Sequence, residues 1–470
     1  MDLNSRHGVT LSIALPFLAC SPTGAERPTR APDVAIVDVN LIPMDSERVL
    51  SSQTVLVTRG LISRIGPTAS LEVPRGARRI EGGGRYLLPG LVDAHVHLRD
   101  TTELLSYLAY GVTSVIHLSG PMGNVPNVLD LRGRVASGSV IGPTIYTTGR
   151  ILDGDPPINP GVSVPIRTAQ DARTTVRDQI EAGVDFVKVY NNLSTAAVGA
   201  AVASAHRRGV AVFGHVPRAE GRSLALQAAL EAGLDVVAHG EEYFFTFFYD
   251  DVERQLDKGE VPKVDEGRIP EAVRLTKAAG VAVTPNLSFV SMTRAQLDDL
   301  KSVLDDPEIR FLDPDVLSMW KRRNPTTRSD LDRFGRRETA KYAFLQRLTL
   351  ALSDAGVPLL LGTDASTPGL FPGKSAHVEL RELVKAGLTP YQALAAGTRS
   401  AGAFIAGHTH TRPFGTIVPG SRADLLLFRR NPLEDIANID ELDGVLVRGT
   451  WFTMAELQRR REKSALTRAM

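Results

Sequence analysis

Between residues 89 and 411, short apolar runs alternate with stretches whose apolar residues recur at helical spacing. The runs fall at 91–98, 112–118, 144–149, 186–190, 211–216, 236–240, 282–287 and 358–365. Most of the gaps between them carry helix-period segments, at 168–182, 194–208, 222–233, 270–279 and 335–355. Eight strands with eight crossovers predict an α/β fold of the (β/α)8 TIM-barrel type rather than an open sheet. Two stretches break the rhythm. Residues 241–268 hold an aromatic run (Tyr243, Phe244, Phe245, Phe247, Phe248, Tyr249) and then a charged segment. Residues 288–334 are charged and interrupted by proline. Both follow predicted strands, so both are expected over the mouth of the barrel.

The flanks follow another grammar. From residue 33 to 88, and again from 412 to 453, short β-branched runs are broken by glycine and polar turns. These two segments predict one small β-sandwich-like domain built from both ends of the chain, with the barrel inserted between them. Gly82-Gly83-Gly84 lies in this region as a turn; it lacks the strand–turn–helix setting of a phosphate loop. Residues 454–470 predict a basic helical tail, and residues 21–32 a linker rich in proline, threonine and alanine.

Residues 1–20 read as a signal peptide. Arg6 and His7 precede an apolar run from Val9 to Ala19, long enough for a signal core and too short to span a bilayer. Phe17-Leu18-Ala19-Cys20 resembles a bacterial lipoprotein processing box, which implies a lipid anchor at Cys20. The expectation is a secreted, periplasmic or membrane-anchored protein; the alternative is a disordered apolar tail on a cytoplasmic one. Cys20 is the only cysteine, so an internal disulfide is excluded.

Charge excludes other classes. The chain has 470 residues and a formal net charge of +1, with no basic cluster interleaved with aromatics, so no nucleic-acid partner is expected. A small-molecule substrate is expected instead, and a homo-oligomer is compatible with this sequence.

The chemistry concentrates at the ends of the predicted strands, where barrel enzymes place catalytic groups. His95 and His97 are two apart in the first strand and so face the same side. His215 and His239 end the fifth and sixth strands, and Asp364 ends the eighth in Gly-Thr-Asp. Each alone has an ordinary explanation, as a hydrogen-bonded structural histidine or a helix cap. Lys188 is different. The chain has only ten lysines, and this one lies inside the apolar strand Asp-Phe-Val-Lys-Val-Tyr. An ammonium buried there requires a partner, a shifted pKa or a covalent change. Six such groups in barrel order point to a metal site. Imidazole and carboxylate ligands suit Zn2+ first, with Mn, Fe, Co or Ni as alternatives.

"LPGLVDAHVHL", the strand lysine, the two strand-end histidines and "GTD" together resemble the amidohydrolase superfamily, over roughly residues 33–450. "GVDFVKVY", "AHGEEY" and "GTDASTPGLFPGKSAHVEL" are most similar to the branch of imidazolonepropionases and Xaa-Pro dipeptidases (prolidase-like). The resemblance implies two divalent metal ions and carboxylation of Lys188 by CO2, giving a bridging carbamate. It implies that His95, His97 and Asp364 hold one metal and His215 and His239 the other. It also implies a binuclear hydrolase of carbon–nitrogen bonds, in which a metal-bridging hydroxide attacks and Asp364 moves the proton. The expected substrate is a dipeptide or N-acyl amino acid. A cyclic amide, lactone or ester at the same site is the alternative, and a non-catalytic binding protein a third reading.

Four further residues are candidate substrate contacts. His117 ends the second strand and Tyr190 follows Lys188 by two positions. Arg150 and Arg218, in the loops after the third and fifth strands, are candidate carboxylate binders or solvated loop charges. His206, His408 and His410 read as structural or surface residues.

Overall fold

The computed structural model describes residues 33–120, 125–222 and 225–469. The expected signal peptide, Cys20 and the linker 21–32 lie outside the described residues. Among the described residues no helix is long and apolar enough to cross a membrane.

Both ends of the chain meet in one eight-stranded sheet. Val34–Leu41, Leu50–Thr58, Leu61–Pro67, Arg78–Glu81 and Tyr86–Pro89 come from the front. Leu425–Phe428, Leu442–Val447 and Thr450–Thr453 come from the back. The join is the antiparallel pairing of Tyr86–Pro89 with Leu425–Phe428. Alternation along the strands sorts their side chains. Leu87, Leu425 and Leu427 enter a core private to this sheet, together with Val34, Ile36 and Val55. Their neighbours Leu88, Leu426 and Phe428 enter the large central core. The strands of the expected small β-domain thus join in one paired sheet with two apolar faces, one of which rests on the rest of the molecule.

The middle of the chain is α/β. Leu91–Val96, Val112–His117 and Thr144–Thr147 form one parallel sheet. Val187–Val189, Val212–Gly214, Val236–Ala238 and Ala282–Thr284 form a second, also parallel. Burial on both faces explains why these runs are continuously apolar rather than alternating. Backbone hydrogen bonds join the sheets. The Phe186 N–H donates to the Thr147 carbonyl at 3.1 Å, the Leu360 N–H to Val283 at 2.9 Å and the Ala94 N–H to Leu361 at 2.7 Å.

Two departures from the sequence reading concern the site. The eighth predicted run, 358–365, makes only isolated bridges, Leu359 to Val283 and Ala365 to Val96. Asp364 has φ of 68°, a left-handed conformation that a pleated strand does not accept. Gly362 passes the first strand so closely that a Cβ would lie 2.9 Å from the His95 Cβ. The stretch 150–165, expected as a loop, contains two short strands, Ile151–Asp153 and Ser163–Pro165, which extend the second sheet.

The predicted helices are present. Ala169–Ala182 shows why: Thr168 and Asp171 form a reciprocal capping box at its start, and Gly183 ends it with φ of 103°. The aromatic run 243–249 is structural. Tyr243, Phe244 and Phe248 are buried in the central core, and the Tyr243 hydroxyl bonds to Thr276 Oγ1 at 2.8 Å. The basic tail is the helix Met454–Ala469.

Candidate active site

A cavity of about 690 Å3 opens at the C-terminal ends of the parallel strands. His95, His97, Lys188, His215, His239 and Asp364 all line it. Six residues spread over 270 positions of sequence are thus brought to one place.

Asp364 sits at the centre. Its Oδ1 lies 2.7 Å from His97 Nε2 and 3.3 Å from His95 Nε2, and ligand atoms of these three residues lie within 4.8 Å of one another. The His95 and His239 rings are 4.5 Å apart between centroids, and those of His239 and His215 are 4.7 Å apart. His239 and Asp364 both hold left-handed backbone, with φ of 88° and 68°. Strain of this kind at non-glycine residues gathers where a site dictates side-chain aim.

The hydrogen bonds around the imidazoles decide which nitrogens remain free. The Ser119 carbonyl takes a hydrogen bond from His97 Nδ1, so that nitrogen carries the proton. The lone pair of Nε2 then faces a carboxylate oxygen, an arrangement that needs a cation or proton between them. Glu242 Oε1 lies 2.7 Å from His215 Nδ1 and fixes that ring in the same way. Glu242 also receives both bonds from Arg218, at 2.7 and 2.8 Å. Nδ1 of both His95 and His239 is buried with no hydrogen-bond partner among the described residues.

Electrostatics favours the metal-binding forms. Burial, with Lys188 nearby, pushes His95 down to about 3. Burial also holds His215 and His239 well below the usual histidine range, so these rings are neutral. Burial pushes the Asp364 carboxyl up, but His97 and His95 outweigh it and hold the group well below the usual carboxylate range. Lys188 is 1% exposed, and its Nζ has no partner among the described residues. Burial lowers it to about 7, against the opposing pull of Asp364 and Glu242. A neutral amine beside neutral imidazoles is nucleophilic toward CO2. The orphaned nitrogens, the facing lone pair and the donor set fit a divalent metal.

The weaker candidates separate. Tyr190 lines the cavity and packs on His215 at 4.2 Å between centroids. His117 is fully buried, is not among the residues that line the cavity, and accepts the Leu98 N–H at Nδ1, 3.0 Å away. Arg150 donates to the Ser163 carbonyl, and Arg218 is bound to Glu242 over the Phe245 ring. Neither arginine is among the residues that line the cavity, and each has a partner in the fold. Sequence reasoning missed Glu242, and it missed Asp93, which anchors the first strand to 358–365. For Glu242 the run Gly-Glu-Glu after His239 was the available sign. Arg99, Arg323, Phe289 and Met319 also line the cavity, the last three from the 288–334 insertion.

Comparison with known proteins agrees with this geometry. The model of the amidohydrolase family matches residues 86–452. An adenine deaminase from Paracoccus denitrificans is 31% identical over 110 residues, 22% of this chain and 18% of that protein. The match thus spans under a fifth of that relative's length. Among solved structures, a bottromycin amidohydrolase superposes with a TM-score of 0.70 at 27% identity, covering 92% of this chain and 90% of that one. A Xaa-Pro dipeptidase superposes with a TM-score of 0.66 at 19% identity, covering 89% and 99%, a likeness of fold.

Proposed function

Because this chain belongs to the amidohydrolase family, and is thereby an enzyme of carbon–nitrogen bonds, we propose that it hydrolyses an amide or peptide-type bond in a small substrate at a binuclear metal site. The observation that carries this reading is Lys188: a lysine whose Nζ has no hydrogen-bond or ion-pair partner among the described residues, buried beside three neutral histidines and Asp364. A structural role leaves that burial uncompensated; conversion to a carbamate removes the cation and supplies two oxygen ligands.

His95, His97 and Asp364 would hold one metal and His215 and His239 the other, with carboxylated Lys188 between them and Zn2+ the first candidate. Bound there, such metals supply Lewis acidity and lower the pKa of water toward neutrality. The residues of the chain do the rest. Asp364 Oδ1 faces two imidazoles, and Oδ2, without a hydrogen bond among the described residues, is free to take a proton from water and pass it to the leaving amine. Tyr190 keeps its phenol proton, since burial pushes it up, and can donate to the substrate carbonyl as it gains negative charge. Phe289, Met319 and Ile158 give the cavity an apolar part of its wall. The hydrogen bonds that join the two parallel sheets through 358–365 support one closed (β/α)8 ring, from which these side chains converge. The sheet shared by both chain ends supports a separate small domain.

The test is metal content per chain after growth with bicarbonate, followed by turnover of a panel of dipeptides and N-acyl amino acids. Two metals with turnover supports the proposal. Two metals without it points to a cyclic amide, lactone or ester. Metal near zero after reconstitution with Zn2+ and Mn2+ sinks the catalytic reading.

A further inference from the structure

A second cavity, of about 900 Å3, lies at the opposite ends of the parallel strands from the candidate active site. Thr144 opens the strand Thr144–Thr147, Asp185 precedes Val187–Val189 and Val210 precedes Val212–Gly214; all three residues line this cavity. The strands are neighbours: the Asp185 N–H donates to the Thr147 carbonyl at 2.9 Å, and Val187 pairs with Val212. Neighbouring strands run about 4.8 Å apart, so this edge of the cavity is roughly 10 Å across.

Three arginines line it from three different elements. Arg132 lies in the helix Val125–Ala136, Arg208 follows the helix Thr195–His206, and Arg448 stands in the turn between Leu442–Val447 and Thr450–Thr453. Among the described residues Asp185 is the only carboxylate in the lining, and Arg132 Nη1 binds it at 2.8 Å. Arg448 donates to neutral oxygens, the Gly142 carbonyl at 2.8 Å and Thr144 Oγ1 at 3.3 Å. Asp424 accepts the Arg448 backbone N–H at 3.1 Å, but its carboxylate pairs with Arg422 at 2.7 Å. Arg208 donates to the Ser204 carbonyl at 3.3 Å and forms no ion pair among the described residues. His408 and His410 line the same cavity and add no negative charge. The whole chain balances 54 Lys and Arg against 53 Asp and Glu, so three guanidiniums facing one carboxylate is a local excess. Cations gathered in a concave site attract anions, and a guanidinium fork matches two oxygens of a carboxylate or phosphate. Leu129, Ile145, Ile180 and Val184 make another part of the wall apolar. A bare ion would leave that part wet, whereas an organic anion covers it.

We infer that this cavity binds a small organic anion, its phosphate or carboxylate head on the arginine-lined edge and its apolar body against Leu129, Ile145 and Ile180. Arg448 belongs to the sheet formed by the chain ends and Arg208 to the α/β part, so a bound anion joins the two and stabilises the fold. This site stands apart from the proposed hydrolysis and does not depend on it.

The experiment is calorimetric titration of the metal-loaded full chain with phenyl phosphate, benzoate, inorganic phosphate and phenol. Phenyl phosphate or benzoate should bind roughly tenfold more tightly than inorganic phosphate or phenol, and the tighter of the two names the head group. Arg208 is exposed, so Arg208→Gln should keep the metal content and Tm of the parent while weakening that ligand roughly tenfold. Arg448→Gln should weaken it likewise, and the ligand should raise the Tm of the parent more than that of either variant. If Arg448→Gln does not fold, Arg208→Gln decides alone. An affinity unchanged in every folded variant places the anion at the metals and overturns the site. Absence of saturable binding by both organic anions at millimolar concentration overturns it as well.

Discussion

Asp93 and Thr363 stand 270 residues apart and share two hydrogen bonds: the Thr363 N–H reaches Asp93 Oδ1 at 3.1 Å, and its hydroxyl reaches Oδ2 at 2.6 Å. Asp93 Oδ1 also accepts the His95 N–H at 3.2 Å. One buried carboxyl thus ties the strand carrying His95 and His97 to the segment carrying Asp364. Thr363→Val keeps the shape but removes the hydroxyl donor and leaves Oδ2 short of a partner. We expect a loss of roughly 1–3 kcal/mol in unfolding free energy, the usual cost of an unsatisfied buried acceptor. Metal affinity should fall with it, because His95 and Asp364 lose their common tether. Denaturant titration with and without a chelator separates the two effects; a variant with unchanged midpoint and metal content would refute the tether.

The pKa of Lys188 makes a prediction of unusual sign. Its folded-state value of about 7 lies below the ordinary 10.5. The folded chain therefore binds this proton more weakly than the unfolded chain. The resulting penalty is fully present below pH 7 and disappears as pH rises toward 10.5. Lys188→Met should accordingly raise the stability of the metal-free, bicarbonate-free protein at pH 6, with a ceiling of about 5 kcal/mol at roughly 1.4 kcal/mol per pH unit. The gain should shrink as pH rises. The same variant should bind little metal and lose turnover. Lys188→Ala should regain part of its activity with a short carboxylic acid. A metal-free Lys188→Met protein less stable than the parent at pH 6 would count against an uncompensated cation.

Metal removal should also be visible without any substrate. A ligand that binds only the folded chain stabilises it by mass action, by about 4 kcal/mol at a thousand times its Kd. Chelation should therefore lower the Tm of the parent and leave that of Lys188→Met nearly unchanged. Equal shifts in both would mean that the metals are held without Lys188.

Much of this site was legible because its residues break the pattern around them. Lys188 stands out in an apolar strand, and His95 and His97 share a face through the two-residue period of a strand. The α/β character followed from alternating runs of the right lengths. Three things were not legible. The left-handed backbone at Asp364 interrupts a run whose composition reads as a strand, so 358–365 was expected to be regular. The supports Asp93 and Glu242 lie next to conspicuous candidate ligands and have no pattern of their own; only the tertiary contacts assign them. Arg150 and Arg218 were attractive as loop charges, but an arginine's reach lets it bind far from its Cα, here to Ser163 and Glu242.

Below the site, Lys341 is buried between Glu241, which lines the cavity, and Glu338 at 2.7 Å. Lys341→Met fills the same volume but strands two buried carboxyls. The cost of breaking a buried pair from one side is roughly 3–5 kcal/mol. The loss should ease at low pH, because protonation of Glu241, already favoured by burial, removes the uncompensated charge. Urea midpoints at pH 5 and pH 8 check this, and a pH-independent loss would assign the effect to packing instead.

Glu242 offers the sharpest separation of position from chemistry. It does not itself line the cavity, yet it binds Nδ1 of His215, which does, at 2.7 Å, and is held in turn by Arg218. A carboxylate behind a ligand histidine fixes the tautomer that leaves Nε2 unprotonated and raises its basicity. Glu242→Gln keeps the shape, but its amide can present NH2 as well as C=O to the ring, so the tautomer is no longer enforced. We expect metal affinity at the His215–His239 position to fall roughly 10–100-fold, as is usual for such partners. The His95–His97–Asp364 position should be affected less, since it depends on Ser119 and Asp93. Turnover should recover as free metal is raised, which a direct catalytic role for Glu242 would not allow. Titration of metal content, read together with activity at saturating Zn2+, distinguishes the two.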